Sequence, residues 1–205
     1  MIHLILIRHG QTVANIEGRW IGQGESELTT LGRAQIAATA RRLATEVRDG
    51  VGLYTSPLAR TLETAEEIGR ALGLTPVVMD DLREIHFGAL EGIRLDELKE
   101  QHPQVYARWQ EKENTAFTWP GGECRADFFR RIATACQTIL ARHERGSVLI
   151  VGHGGTIRSC LMHLLPETLG KWWTYEIDNC GLTHLEVEGR QARLLALNDT
   201  THLPK

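Results

Sequence analysis

LILIRHGQT, Leu4 to Thr12, is the stretch whose reading decides the fold. Four large apolar residues run without a polar break into an arginine, a histidine and a glycine. A strand that is apolar at every position, and not only at alternate ones, reads as buried on both faces, as in a parallel sheet covered by helices. In open sheets of that kind, ligands bind beyond the carboxyl ends of the strands. Arg8, His9 and Gly10 fall at such an end.

A second stretch repeats the design. In SVLIVGHGGT the apolar run Val148–Val151 leads into Gly152, His153, Gly154 and Gly155. Two buried strands thus each deliver one histidine into glycine-flanked backbone. Glycine permits tight turns and lets backbone N–H groups approach a ligand. A helix beginning near Thr156 would present an N-terminus that favours an anion.

Other segments complete the pattern. Ile2–Ile7, Val51–Thr55, Thr75–Met79 and Val148–Val151 are short and rich in strand formers. Between them, Ile36, Ala40, Leu43, Ala44 and Val47 recur at helical spacing, as do Ala65, Ile68 and Leu72, and then Ile132, Cys136, Ile139 and Leu140. Ser56-Pro57 reads as a helix start, with serine as N-cap and proline in the first turn. Alternating strands and helices predict an α/β fold with a largely parallel sheet covered on both faces. Leu182–Val187 and Arg193–Leu197 flank Glu188-Gly189, which predicts an antiparallel hairpin at the end. The charged, helical stretch from about Leu95 to Thr118 reads as an insertion over one end of the sheet. With no repeat and no linker, residues 1–205 read as a single domain.

Bulk properties exclude several classes. An apolar content of 42% suits a folded core. A net charge of -3 argues against a nucleic-acid binder. No apolar run approaches the roughly 20 residues of a membrane span. Arg8 and His9 interrupt the first apolar stretch too early for a signal peptide. Four scattered cysteines without a CxxC suggest reduced thiols and a cytoplasmic protein.

TSPLARTLETA adds Arg60 in the first turns of a helix after a strand. DDLREIHFGALEG adds Glu84 after another strand. Each alone reads equally as a solvated helix arginine or a surface carboxylate, and Glu91 and Glu97 are assigned to the surface. Together, RHGQT with Asn15 downstream, SPLARTLETA, LREIHFGALEG, PGGE and VGHGG, in this order, resemble the histidine phosphatase superfamily, which has the phosphoglycerate mutase-like fold. The resemblance covers most of the chain. It implies a three-layer α/β/α fold with a mostly parallel mixed sheet.

It also implies roles. His9 resembles the phosphorylated nucleophile, Glu84 the acid/base, and Arg8, Arg60 and His153 the phosphate clamp, with Asn15 and Gly154 assisting. No cofactor or metal is implied. The residue types suit the chemistry. A phosphomonoester is close to a dianion, and arginine offers its oxygens a planar fork of donors. A nucleophilic histidine must be neutral, which an adjacent Arg8 favours. In this scheme Glu84 protonates the leaving alkoxide and later activates water, while a protonated His153 and the arginines stabilise the equatorial oxygens.

Within the superfamily, Glu84 is followed by Ile85, His86, Phe87 and Gly88, which resembles the phosphatase branch, including α-ribazole phosphatases. The mutase branch typically has arginine and a tyrosine-glycine pair there. The expected substrate is therefore a small phosphomonoester, α-ribazole 5′-phosphate among the candidates, with a cofactor-dependent phosphoglycerate mutase as the alternative. RWIGQGESELTTLG departs from the family pattern at Gln23, Glu25 and Glu27, and places Ile21, Gly22 and Gln23 at the border of the pocket. His86 and His202 are further substrate-binding candidates, and Trp20, Trp119, Trp172 and Trp173 are candidate walls, with aromatic core packing the default for each. A homodimer is left open.

Cys124 with Arg130 and Cys136 with Arg142 match the C-x5-R spacing of tyrosine phosphatases. The intervening residues follow a helical pattern, whereas that chemistry needs a glycine-bearing loop. Two rivals of other classes remain. A metal-dependent hydrolase would have to be assembled from His3, His9, His86 and His153 with Asp80 or Asp81, none at recognisable ligand spacing. A phosphate-sensing binding protein would need the clamp but not His9 and Glu84 as well.

Overall fold

The computed structural model describes residues 1–165 and 172–204, and the side chain of Trp172 also lies outside the described part. The strands are β1 (Ile2–Arg8), β2 (Arg19–Trp20), β3 (Gly50–Thr55), β4 (Val77–Val78), β5 (Ile93–Arg94), β6 (Gly146–Gly152), β7 (Leu182–Glu188) and β8 (Gln191–Asp199). The helices are α1 (Val13–Ile16), α2 (Thr30–Glu46), α3 (Ala59–Leu72), α4 (Leu95–Gln101), α5 (Pro103–Gln110), α6 (Arg125–Leu140) and α7 (Gly154–Leu164).

Six strands form one mixed sheet in the order β4-β3-β6-β1-β7-β8. β1 pairs in parallel with β6, as do β3 with β6 and β3 with β4, while β7 runs antiparallel to both its neighbours. The expected tail hairpin is therefore present, and β7 is the one strand of this sheet that runs against the rest.

The apolar run of β1 is explained by its central position. Side chains alternate across a strand, and here both faces are covered. Leu4 and Leu6 enter a core with Phe128, Ile132 and Ile139 of α6 and Ile157, Cys160 and Leu161 of α7. Ile5 and Ile7 enter the opposite core with Leu43 of α2 and Ala65 and Ile68 of α3. Val148 and Ile150 of β6 divide from Leu149 and Val151 in the same way. The result is the expected α/β/α sandwich.

The segment 95–118 forms α4, α5 and the turns that follow. A third apolar cluster anchors it, made of Leu90, Ile93, Leu98, Phe117 and Trp119, with Trp20, Phe87 and Trp109 packed against it. In the two C-x5-R matches, Cys124 is the N-cap of α6, Arg130 and Cys136 lie on it and Arg142 follows its end, and Cys136 and Cys160 face each other across the α6–α7 contact with sulfurs 2.7 Å apart. Neither match has the loop geometry of a catalytic cysteine.

One local reading is corrected. Ser56 is not the N-cap of α3, which begins at Ala59 with Leu58 at the cap and no side-chain cap bond. Ser56 instead stays beside the sheet, where its N–H donates to Val151 O at 3.3 Å. No helix among the described residues is long and apolar enough to cross a membrane.

Candidate active site

The parallel register of β1 and β6 ends with Arg8 opposite Gly152, so the next residue of each strand, His9 and His153, leaves the sheet at the same edge. The His9 N–H donates to Gly152 O at 3.1 Å, which carries the pairing one step past the strands. Both histidines are buried, and their ring centroids lie 5.3 Å apart. Two residues separated by 144 positions are thus brought together by sheet register alone.

His9 has a defined tautomer. Its Nδ1 lies 2.8 Å from Gly10 O. A carbonyl only accepts, so Nδ1 carries the hydrogen and Nε2 keeps its lone pair. Burial, then the charges of Arg8 and Arg60, hold the imidazole well below its ordinary pKa, so it is neutral at pH 7. His153 is also pushed well below that value, by burial first and then by Arg60, His9 and Arg8. These neighbours favour the neutral imidazole, and the expected protonation of His153 belongs to the complex with a phosphate dianion. Its Nε2 lies 2.9 Å from Ser56 Oγ, and its buried Nδ1 has no hydrogen-bond partner among the described residues.

Arg8 sits between the strand end and the loop before β7, where its Nη1 donates to Ile177 O at 2.7 Å. Burial lowers its pKa to about 10, still far enough above 7 that it stays charged. Its Nε is buried without a partner among the described residues, an arrangement that suits an anion. Arg60, on the first turn of α3, donates to Gly22 O at 2.7 Å and Gly24 O at 2.9 Å. The loop carrying those carbonyls is fixed by Glu91, whose carboxylate accepts from Gly22 N at 2.8 Å and Gln23 N at 3.1 Å. Glu91 is accordingly not a surface carboxylate. It closes a chain of hydrogen bonds that orients Arg60. Glu97 is also more than surface: it accepts from Arg94 N at 2.9 Å at the start of α4.

Glu84 is buried, and its two oxygens accept from Ile85 N at 3.0 Å and Gly155 N at 2.8 Å. The second contact ties it to the first turn of α7, directly after His153. Gly155 is required for this approach, since a Cβ there would collide with Glu84 Oε1. Gly10, Gly152, Gly154 and Gly155 are all outside the left-handed region, so closeness and not turn geometry explains Gly155. A Gly155→Ala protein is expected to keep its thermal melting temperature within a few degrees. It should lose turnover by at least about tenfold because Glu84 is displaced, a steric effect of the size assigned to misplaced catalytic groups. Parallel melting and rate measurements check this.

Asn15 is placed by a capping box. Its Oδ1 accepts from Thr12 N at 3.0 Å while Thr12 Oγ1 accepts from Asn15 N at 3.4 Å. Asn179 adds a further donor, 3.1 Å from the same Oδ1, and also reaches His9 O at 3.0 Å. With its oxygen occupied, Asn15 has its amide donors left for a ligand.

These groups line one cavity of about 620 Å³. Arg8, His9, Asn15, Arg60, Glu84, His153 and Gly154 all contribute, as does Ile21. Trp20, Trp119 and Trp173 form part of the wall and Trp109 joins them, while Trp20 and Trp119 also pack in the third apolar cluster. Among the described residues no group of three or more His, Cys, Asp or Glu is arranged to hold a metal ion.

Four substrate-binding candidates are placed elsewhere. Gly22 and Gln23 stand behind the wall, the first holding Arg60 and the second donating from Nε2 to Glu84 O at 3.3 Å. His86 is bound through its backbone to Glu123, with contacts of 2.9 and 3.3 Å, and its neighbours Ile85 and Phe87 line the cavity instead. His202 lies against α2, its Nε2 2.9 Å from Thr39 Oγ1. The chain turns back after β8 through Leu203 N to Thr200 O, which carries His202 away from the cavity. Conversely, Ser56, read from sequence only as a helix cap, and Arg158, Lys112 and Arg125, not singled out at all, belong to the site's surroundings.

Comparisons with known proteins identify the family. Residues 4–200 match the family model of the histidine phosphatase superfamily, branch 1. Phosphoserine phosphatase 1 of Hydrogenobacter thermophilus is 32% identical over 203 residues, covering 99% of this chain and 95% of that protein. The metal-independent phosphoserine phosphatase of Arabidopsis thaliana is 34% identical, covering 78% of this chain and 68% of that protein. Among solved structures, a mycobacterial glucosyl-3-phosphoglycerate phosphatase in complex with VO3 superposes with a TM-score of 0.86 at 30% identity, covering 97% of this chain and 99% of that one. A phosphoserine phosphatase from Entamoeba histolytica, solved with 3-phosphoglyceric acid, gives 0.86 at 27% identity and covers both chains fully, at 100% each. This chain belongs to branch 1 of the histidine phosphatase superfamily, and its enzymatic class is that of a phosphatase.

Proposed function

We propose that the chain hydrolyses small phosphomonoesters through a phosphohistidine on His9, without a metal ion. The observation that carries this reading is the state of His9: neutral, with Nδ1–H committed to Gly10 O and Nε2 free, beside two arginines. Nε2 attacks phosphorus in line with the ester oxygen. The N–P bond forms as the P–O ester bond breaks, and Glu84 in its protonated form passes its proton to the leaving oxygen. Water then attacks phosphorus, Glu84 takes the proton from that water, and the N–P bond breaks to release inorganic phosphate. Arg8, Arg60 and the Nδ1 edge of His153 bear on the equatorial oxygens, where negative charge is greatest in transit. A bound dianion opposes the charges that hold His153 neutral and draws a proton onto it.

Relatives named for phosphoserine and glucosyl-3-phosphoglycerate support a small phosphorylated metabolite, and α-ribazole 5′-phosphate belongs in the same panel. The test is hydrolysis of p-nitrophenyl phosphate in excess EDTA from pH 4 to 9. Turnover should survive chelation. Because His9 is held well below 6.5, loss of its nucleophilic form should set in only well below that pH. Activity abolished by EDTA and restored by a divalent cation would reject the metal-free reading.

A further inference from the structure

The pairing that brings His9 beside His153 delivers a third residue to the same edge. β3, β6 and β1 are neighbours in the sheet, and the β3–β6 register ends with Thr55 opposite Val151. Ser56 is the first residue past β3, as His153 is past β6 and His9 past β1. It is wholly buried and held by its own backbone. Its N–H donates to Val151 O at 3.3 Å, and its carbonyl accepts from Thr61 Oγ1 at 2.9 Å and Thr55 Oγ1 at 3.1 Å. The hydroxyl is therefore a fixed point, 2.9 Å from His153 Nε2.

A neutral imidazole has a single hydrogen and two nitrogens that can carry it. For His153 the neighbours decide. Leu58 N–H points at Ser56 Oγ from 3.4 Å and occupies a lone pair of that oxygen. The hydroxyl's own hydrogen needs an acceptor, and among the described residues His153 Nε2 is the one in reach. That donation leaves the ring hydrogen on Nδ1. The opposite tautomer would strand the hydroxyl hydrogen in a buried place, at the cost of an unmade bond. His153 lines the cavity and Ser56 does not. Nδ1, buried and without a partner among the described residues, is then the nitrogen left for a ligand. A hydrogen there attracts a phosphate oxygen, and a lone pair there would repel it.

We propose that Ser56 is a positioning residue for the reaction: its hydroxyl holds His153 as the Nδ1–H tautomer, so that the ring meets the phosphoryl group as a donor before it takes up any proton. A hydroxyl can also accept. When a bound dianion draws a second proton onto the ring, Nε2–H donates to Ser56 Oγ and Nδ1–H stays on the phosphate. The same edge of the ring serves both protonation states, and the ring does not turn. The inference rests on the hydrolase reading of the site.

The test has a spectroscopic and a kinetic arm. Ring-nitrogen NMR of protein labelled at histidine, with the His153 signals identified by their loss in His153→Ala, should show the hydrogen on Nδ1 in free wild type at neutral pH. Ser56→Ala should move it toward Nε2. In the kinetic arm, Ser56→Ala should lower kcat/KM for p-nitrophenyl phosphate about ten- to a hundredfold, the range for one hydrogen bond lost from a buried group. Made on top of His153→Ala, the same substitution should cost less than about twofold, because the residue it acts through is gone. A merely structural serine would cost as much in either background. A ring hydrogen on Nε2 in wild type overturns the proposal, and so does an equal kinetic loss in both backgrounds. The wild-type spectrum decides the tautomer even where a variant fails to fold. Wild type that cleaves neither p-nitrophenyl phosphate nor any ester of the metabolite panel defeats the hydrolase reading, a result the spectrum keeps separate from the placement of the hydrogen.

Discussion

A His9→Ala protein is expected to lose at least about four orders of magnitude in kcat, the scale seen when a nucleophile is deleted from a covalent mechanism. Base-quenched wild type incubated with substrate should contain an acid-labile phosphoenzyme, and the variant should contain none. The argument is geometric. Nε2 of His9 is the one ring nitrogen at the sheet edge that combines an open lone pair with a fixed tautomer, whereas His153 Nε2 is engaged by Ser56. The variant should remain folded, because His9 is held by its own main chain through Gly152 and Asn179.

The same substitution also changes the response to acid. With a folded pKa depressed below 6.5, His9 binds fewer protons in the folded state than in the unfolded chain. Its contribution is therefore present above pH 6.5 and is lost as pH falls through the folded value. Melting temperatures measured between pH 7.5 and 5 should fall less steeply for His9→Ala than for wild type. A phosphoenzyme in the variant, or wild-type turnover without His9, would mean that another group attacks phosphorus.

The parts of this site that were legible in sequence are those placed by backbone adjacency. Arg8, His9, His153 and Gly154 follow directly on the two most apolar strands, so the fold prediction and the site prediction were the same prediction. Arg60 and Glu84 were identified from motif resemblance, and their positions depend on long-range bonds to Gly22, Gly24 and Gly155 that no local pattern encodes. Ser56 was misread because Ser-Pro is a sound local helix start. The chain uses the hydroxyl across the sheet instead, a choice set by the neighbouring β6. Glu91 looked like a solvated charge because the loop of N–H groups that it satisfies lies 67–69 residues earlier. His202 was a substrate-binding candidate, whereas the turn after β8 docks it on α2. Arg158 was hidden for the opposite reason: an arginine one turn into a helix is ordinarily solvated, and only the close passage of the segment carrying Tyr175 makes it a half-buried cation.

Glu84→Gln provides the second large effect, and it separates the two half-reactions. For an alkyl phosphate the leaving alkoxide needs a proton, so kcat/KM should fall by about 10² to 10⁴. p-Nitrophenolate is a weak base and leaves unaided, so phosphorylation of His9 should be far less impaired with p-nitrophenyl phosphate. Attack of water still needs a base, and the amide supplies none. The variant should therefore release p-nitrophenolate in a burst equal to the enzyme concentration and then turn over slowly, with the phosphoenzyme accumulating. Part of the loss has another source, since the carboxylate accepts from both Ile85 N and Gly155 N and an amide has only one oxygen to offer them. That displacement would slow both substrates alike and produce no burst. A burst thus assigns Glu84 to proton transfer, and an equal loss on both esters without one would reduce it to a bracket for the first turn of α7.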